Sequence, residues 1–322
     1  ETRVRISIKL KLAILLATTL WTGIACAGID EAKKAYEAED YETARTELLP
    51  LAEAKDPRAN YMLGQIYQKG LGVDVDEALA IKYYEVADQG YYTKASVELA
   101  KMAIAGLGTT ENKALGIEYL KKAAYLGSAD ALFELGEVYD KGEGVDKNDV
   151  YAFGFYYMAA LKGDKRGQLK IPERYLSGRG ITQDYDAAAK WFMRSANQGY
   201  MPAQMQWADL RASHPRLKNP MDAYSWYTII AAYATDKNRD VAAERRDAIG
   251  KKFERQVITA QQKKIKEWRP VPAKYSVPKN EVQAAILPII PGYNDDETVK
   301  ARLETGASLN IDGTVYGITP DM

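Results

Sequence analysis

The stretch Ala59-Asn60-Tyr61-Met62-Leu63-Gly64-Gln65-Ile66-Tyr67-Gln68-Lys69-Gly70-Leu71-Gly72 decides the fold. Ala59, Leu63, Ile66, Tyr67 and Gly70 recur at i, i+4, i+7, i+8 and i+11, so they share one face of a helix. Gly70 ends that helix, because glycine enters the left-handed region without a Cβ penalty. Asp76 then caps a second helix carrying Ala80, Tyr83, Tyr84 and Ala87, which closes at Gly90. Small residues at Gly64 and Ala87 let the two helices approach closely.

The same pattern returns downstream. The pairs Gly70/Gly72, Gly106/Gly108, Gly142/Gly144 and Gly178/Gly180 lie 36 residues apart. Leu63, Leu99, Leu135, Ile171 and Trp207 keep that step, as do Gly64, Ala100, Gly136, Pro172 and Ala208. Gly127, Gly163 and Gly199 keep it too, but Gly90 leads Gly127 by 37, which reads as a link over 91–94 one residue longer than its counterparts. One helix pair cannot bury its apolar face alone. Stacking the pairs does, so the expected fold is all-α, a solenoid of antiparallel helix pairs.

Two features break the period. Pro172 stands inside an expected helix, where it lacks an N–H and clashes with the preceding turn, so that helix should kink or start late. In the fifth repeat Ser213–Pro220 replaces the Gly-x-Gly turn, as suits an eroded terminal unit.

The run Ala131-x-x-x-Leu135-Gly136-x-x-Tyr139-x-x-Gly142-x-Gly144-Val145 resembles the first half of a Sel-one-like repeat, a relative of the tetratricopeptide repeat. Trp191-Phe192-x-x-Ser195-Ala196-x-Gln198-Gly199 resembles its second half. The resemblance spans roughly residues 57–234, in four clear repeats and an eroded fifth. It implies a right-handed superhelix of helix pairs and a role in protein–protein interaction. Relatives often serve as adaptors in bacterial envelopes and secretion systems, and no catalytic set belongs to the repeat.

Outside the array, residues 1–27 carry Arg3, Arg5, Lys9 and Lys11, an apolar run from Leu12 to Trp21, and Ala25-Cys26-Ala27. Basic start, apolar middle and Ala-x-Ala end form a secretory signal peptide, with cleavage leaving Gly28. A membrane anchor is the alternative for the uncharged stretch from Leu12 to Ile29. Cys26 after Ala25 offers another, an outer-membrane lipoprotein acylated at Cys26. Residues 28–56 read as a capping helix pair, Ile29–Glu39 and Tyr41–Ala54. Residues 235–268 read as two capping helices, Arg239–Arg255 and Gln256–Trp268. Between Lys237 and Arg269 stand 11 Lys/Arg and 5 Asp/Glu, a solvated face or a contact for anionic lipid or polymer. In residues 269–322, Pro270, Pro272, Pro278, Pro288 and Pro291 mark a linker. Thr298 to Asn310 and Gly317-Ile318-Thr319-Pro320 then resemble part of an ankyrin repeat.

Composition narrows the chemistry. The chain has 322 residues, 47% apolar and 27% charged, which suits a folded soluble protein. Lys+Arg and Asp+Glu both number 44, so overall charge gives no reason to expect a nucleic-acid partner. One Cys and one His cannot build an internal disulfide or a common zinc site. The Gly-x-Gly turns follow helices and lack a third Gly, unlike phosphate loops. Asp146-Lys147-Asn148-Asp149 lacks the glycine and closing Glu of a calcium loop. His214 reads as a surface loop residue, and Tyr67, Tyr139 and Tyr175 as packing residues. The chain therefore reads as a non-enzyme with no cofactor and no metal.

The expected partner is a protein, and the expected location is periplasmic or secreted, with a membrane contact only if Cys26 is lipidated. A lipid-anchored assembly factor for polymer export, or a docking frame for a cell-wall-acting enzyme, are the alternatives. Tyr61, Gln65, Gln68 and Lys69 share the helix face opposite Leu63 and Tyr67. In tetratricopeptide-like superhelices that face lines the concave side. Carried forward, it gives an apolar ladder, Tyr61, Val97, Phe133, Leu169 and Met205. It also gives a polar ladder, Gln65, Lys101, Glu137, Glu173 and Asp209. The ladders suit a peptide with aromatic anchors and a basic patch. Alternatively the apolar ladder only packs neighbouring first helices together.

Overall fold

The computed structural model describes residues 28–270, together with 307–309 and 315–317. The signal-peptide and Cys26 readings, and most of the linker and ankyrin-like stretch, lie outside the described residues. Helix α1 covers residues 28–37 and α2 covers Tyr41–Glu53. Five repeats follow. Their first helices are α3 (Pro57–Lys69), α5 (Thr93–Ala105), α7 (Ala129–Lys141), α9 (Lys165–Ser177) and α11 (Met201–Ser213). Their second helices are α4 (Glu77–Gln89), α6 (Lys113–Tyr125), α8 (Asp149–Leu161), α10 (Tyr185–Asn197) and α12 (Pro220–Tyr233). Two more, α13 (Asn238–Gly250) and α14 (Arg255–Lys266), follow. The fold is an all-α solenoid. It divides into two compact units, the first ending at Ala131 and the second beginning at Leu132.

The helices start where the sequence supplies caps. Asp56, Asp76, Asn112, Asn148, Asp164, Asp184 and Asn219 each accept a backbone N–H from the first turn of the next helix. The first helices α3, α5 and α9 stop at glycines with positive φ, Gly70 (66°), Gly106 (67°) and Gly178 (70°).

The period is stricter than the glycines imply. Helix starts recur at 36-residue steps from Pro57 to Met201 and from Glu77 to Tyr185. The left-handed residues after the second helices are Lys55, Tyr91, Gly127, Gly163 and Gly199, again 36 apart, whereas Gly90 has φ −78°. The link after Gly90 is therefore not longer. Tyr91 is the equivalent of Gly127, and the first two positions of the series carry ordinary side chains. Pro172 also departs from expectation. Helix α9 starts in register, capped by Asp164, and encloses a buried Pro172. Packing on both sides outweighs the local penalty of proline. The erosion of the fifth repeat is confined to its turn, since α11 and α12 form a full pair. At the C-terminal end α13 stops at Gly250, shorter than the sequence indicates.

The core repeats as the helices do. Leu63, Leu99, Leu135, Ile171 and Trp207 are at most 3% exposed. At the small position, glycine goes with a large ring: a Cβ on Gly64 would sit 2.5 Å from the Tyr84 ring, and one on Gly136 would sit 2.6 Å from the Tyr156 ring. In the second repeat Ala100 goes with Leu120, and in the fourth Pro172 with Phe192. Volume is thus exchanged between the first three pairs, as close-packed interiors require, whereas Pro172 with Phe192 does not follow the exchange.

A buried polar series ties α3, α5, α9 and α11 each to the helix before it, whereas α7 carries the apolar Leu132 at that position. Asn60 Nδ2 donates to the Ala52 carbonyl (3.2 Å), Gln168 Nε2 to Ala160 (3.3 Å) and Gln204 Nε2 to Ala196 (3.0 Å). These carbonyls belong to last turns, which have no partner within their own helix. Ser96 instead donates to Asp88 (2.5 Å), whose carboxylate also meets Lys122 Nζ at 2.8 Å.

Strand β1 (Ala307–Leu309) pairs antiparallel with β2 (Val315–Gly317), where the sequence reading placed no strand. Asp312-Gly313, a common hairpin turn pair, lies between them in sequence.

Candidate protein-binding face

In the first compact unit Tyr61 lies half-buried on α3. Its ring centroid is 5.8 Å from that of Tyr84 and 5.0 Å from that of Tyr92, and Gln65 Nε2 donates to its hydroxyl (3.1 Å). Burial, then the Glu98 carboxylate, pushes the Tyr61 phenol well above its ordinary value. Val97 is buried, and exposed Lys101 pairs with Glu98 on its own helix at 3.3 Å.

In the second unit Phe133 is 8% exposed, with the Arg166 guanidinium 4.2 Å above its ring. The apolar ladder therefore packs within the stack at Val97 and Phe133. It opens towards Leu169 and Met205, which are half-buried. Glu137 accepts from the Tyr156 hydroxyl at 2.6 Å and pairs with Lys170 Nζ at 3.1 Å and Lys141 Nζ at 3.3 Å. Burial raises the Glu137 pKa, but the hydrogen bonds from Tyr156 and Lys170 outweigh it and hold the carboxyl below its usual range. Glu173 accepts from Gln206 Nε2 at 3.0 Å. Asp209 accepts from the Tyr227 hydroxyl at 2.5 Å and pairs with Arg245.

Neighbouring first helices are thus laced from α7 to α9 and from α9 to α11. Arg166 reaches Glu134 (3.3 Å), Lys170 reaches Glu137, and Gln206 reaches Glu173. Arg174, only 3% exposed, occupies a position filled elsewhere by Ile66, Met102, Val138 and Leu210. It is held by Asp140 (2.5 Å) and Asp149 (3.0 Å), while Arg179 also meets both carboxylates at 2.7 Å.

Where α9, α11 and the start of α13 meet, a groove of about 560 Å³ opens. Leu169, Met201 and Met205 supply its apolar wall, and Glu173, Asp209 and Asp236 supply its carboxylates. Among the described residues the lining includes no cation. Sequence reasoning found Leu169, Glu173, Met205 and Asp209. It missed Arg166, Lys170 and Gln206, which decide where the ladder is covered. Their signal was present as a step of about 33 residues, but only the helix packing shows which side chains face each other.

Among the described residues no helix is long and apolar enough to cross a membrane. The Sel1 repeat family model matches residues 57–87, 93–128, 129–164 and 173–200, omitting the stretch that includes Pro172. The chain resembles the crystal structure of a Sel1 repeat protein from Oxalobacter formigenes at 28% identity and a TM-score of 0.56, over 66% of this chain and 88% of that one. It also resembles a protective antigen present in uropathogenic Escherichia coli strains, which displays an SLR fold. That likeness has 24% identity and a TM-score of 0.56, over 77% of this chain and 61% of the antigen. No curated protein matches the sequence. Sel1 repeats form a non-catalytic scaffold that typically binds proteins. The chain thus carries four Sel1 repeats, in the register of its own 36-residue period.

Proposed function

We propose that the chain is a protein-binding scaffold of the bacterial envelope, exported to the periplasm or beyond, and that its first-helix faces hold the partner. The observation that carries the binding reading is the open groove on α9 and α11. There the ladder positions Leu169, Glu173, Met205 and Asp209 meet as apolar wall and charged rim. Such a mixture suits a peptide segment, with apolar contacts for affinity and carboxylates for orientation. Export rests on residues 1–27, with their basic start, apolar middle and Ala25-x-Ala27 end. Fractionation of the producing cell tests the location, and a chain found only in the cytoplasm would refute it. Mass spectrometry of the mature N-terminus separates two forms of the proposal: free Gly28 means a released periplasmic protein, and acylated Cys26 an outer-membrane lipoprotein.

A further inference from the structure

The groove opens at the fourth and fifth repeats for a reason visible by comparison with the repeat before. The third repeat offers Phe133 and Glu137 to α9, which answers with Arg166 over the ring and Lys170 on the carboxylate. One period later the fourth repeat offers Leu169 and Glu173 to α11. The residues that answer, 36 positions after Arg166 and Lys170, are Pro202 and Gln206. Pro202 has no long side chain to lay over Leu169. Gln206 gives Glu173 a neutral amide N–H in place of an ammonium. Glu173 makes no ion pair among the described residues, and Gln206 Oε1 is buried without a hydrogen-bond partner. Leu169, Glu173, Pro202 and Gln206 all line the groove.

We propose that this groove takes a cationic side chain of a partner protein, lysine or arginine, flanked by an apolar residue. The cation meets Glu173 and Gln206 Oε1, filling the role that Lys170 plays for Glu137. The apolar neighbour lies on Leu169 and Met205, filling the space that Arg166 covers over Phe133. The unpaired carboxylate favours a cation, and a buried oxygen with no partner favours a donor. Methionine walls adapt to an apolar side chain of varied shape. The assignment rests on the protein-binding reading above and names the chemistry of that same face.

The test uses the full chain and two peptides, N-acetyl-Leu-Arg-Leu-amide and N-acetyl-Leu-Gln-Leu-amide, titrated by NMR. The arginine peptide should bind saturably, with half-saturation on the order of 1 mM for a fragment of this size. The glutamine peptide should bind at least tenfold more weakly. Gln206→Lys restores the pairing of the preceding repeat, so it should fold as the parent does and weaken the arginine peptide at least tenfold. Glu173→Gln should weaken it similarly, while Glu118→Gln, on the second helix α6 and off the proposed face, should leave it unchanged. Equal binding of both peptides, unchanged binding to Gln206→Lys, or no saturable binding would overturn the assignment. If the peptides fail while a partner still cross-links at Met205, the scaffold reading survives without this chemistry. If they bind while no partner cross-links, the scaffold reading falls instead.

Discussion

Substituting Gly136 tests the packing rule that sets the spacing of α7 and α8. An alanine there would place its Cβ 2.6 Å from two carbons of the Tyr156 ring, well inside normal contact of roughly 3.5 Å or more. The ring has little freedom to yield, because Tyr156 is fully buried and its hydroxyl donates to Glu137 at 2.6 Å. Overpacking of this kind costs about 1–3 kcal/mol, offset by about 1 kcal/mol because alanine favours a helix interior over glycine. Gly136→Ala alone should therefore cost up to about 2 kcal/mol. In a Tyr156→Leu background the pair becomes Ala and Leu, the combination at Ala100 and Leu120. The clash vanishes there, and the same alanine should gain up to about 1 kcal/mol. The double-mutant cycle should then show a coupling of about 1–3 kcal/mol, the overpacking cost itself. Urea unfolding followed by circular dichroism measures it, and hydrogen exchange of α8 localises it, since repeat arrays can unfold in parts. Additivity within about 0.5 kcal/mol would refute the reasoning.

At the turn of the fourth repeat, a Cβ on Gly180 would fall 1.9 Å from the Asp149 carbonyl oxygen, whereas one on Gly178 would meet nothing nearer than 3.5 Å. Both glycines have positive φ, so Gly178→Ala should cost only backbone strain of about 1 kcal/mol and Gly180→Ala distinctly more, as read from urea midpoints. Lys55 is exposed at a φ of 61°, in the position that Gly127, Gly163 and Gly199 fill later, so Lys55→Gly should stabilise by about 0.5–1 kcal/mol in the same assay. Burial tends to raise the Asp140 pKa, but hydrogen bonds and charge from Arg174 and Arg179 prevail and lower it. A lowered folded-state pKa adds stability that is present above the unfolded value, near pH 4, and is lost as pH falls through the folded value. Asp140→Asn should therefore flatten the acid limb of stability against pH. An unchanged limb would show that this carboxylate is not linked to folding.

Much of the fold was legible because glycine has few substitutes where a helix ends in the left-handed region. The four Gly-x-Gly turns fixed the period, and the helical spacing of Leu63, Ile66 and Tyr67 fixed the buried face. The reading slipped where another residue tolerates that backbone: Tyr91 holds the left-handed position, so neighbouring Gly90 suggested a longer link that does not exist. It slipped again at Pro172, whose local penalty is outweighed by the repeats packed around it. The candidate face was legible as positions but not as surface. Phe133 and Leu169 are equivalent in sequence, yet only the pairing of α7 with α9, and of α9 with α11, shows one covered by Arg166 and the other beside Pro202. The buried ties from Asn60, Gln168 and Gln204 also escaped. Their step of 36 was visible, but their acceptors are backbone carbonyls that leave no mark in the sequence.

Site-specific cross-linking in the producing cell tests the central claim most directly. A photo-reactive amino acid replaces Met205 in the groove or, as the control, Met193, which is 47% exposed on α10. The scaffold reading predicts a discrete adduct with an envelope protein at Met205, little or none at Met193, and loss of the Met205 adduct in the Gln206→Lys background. Equal adducts at the two positions, or none at Met205 in cells that hold the folded chain in the envelope, would contradict it.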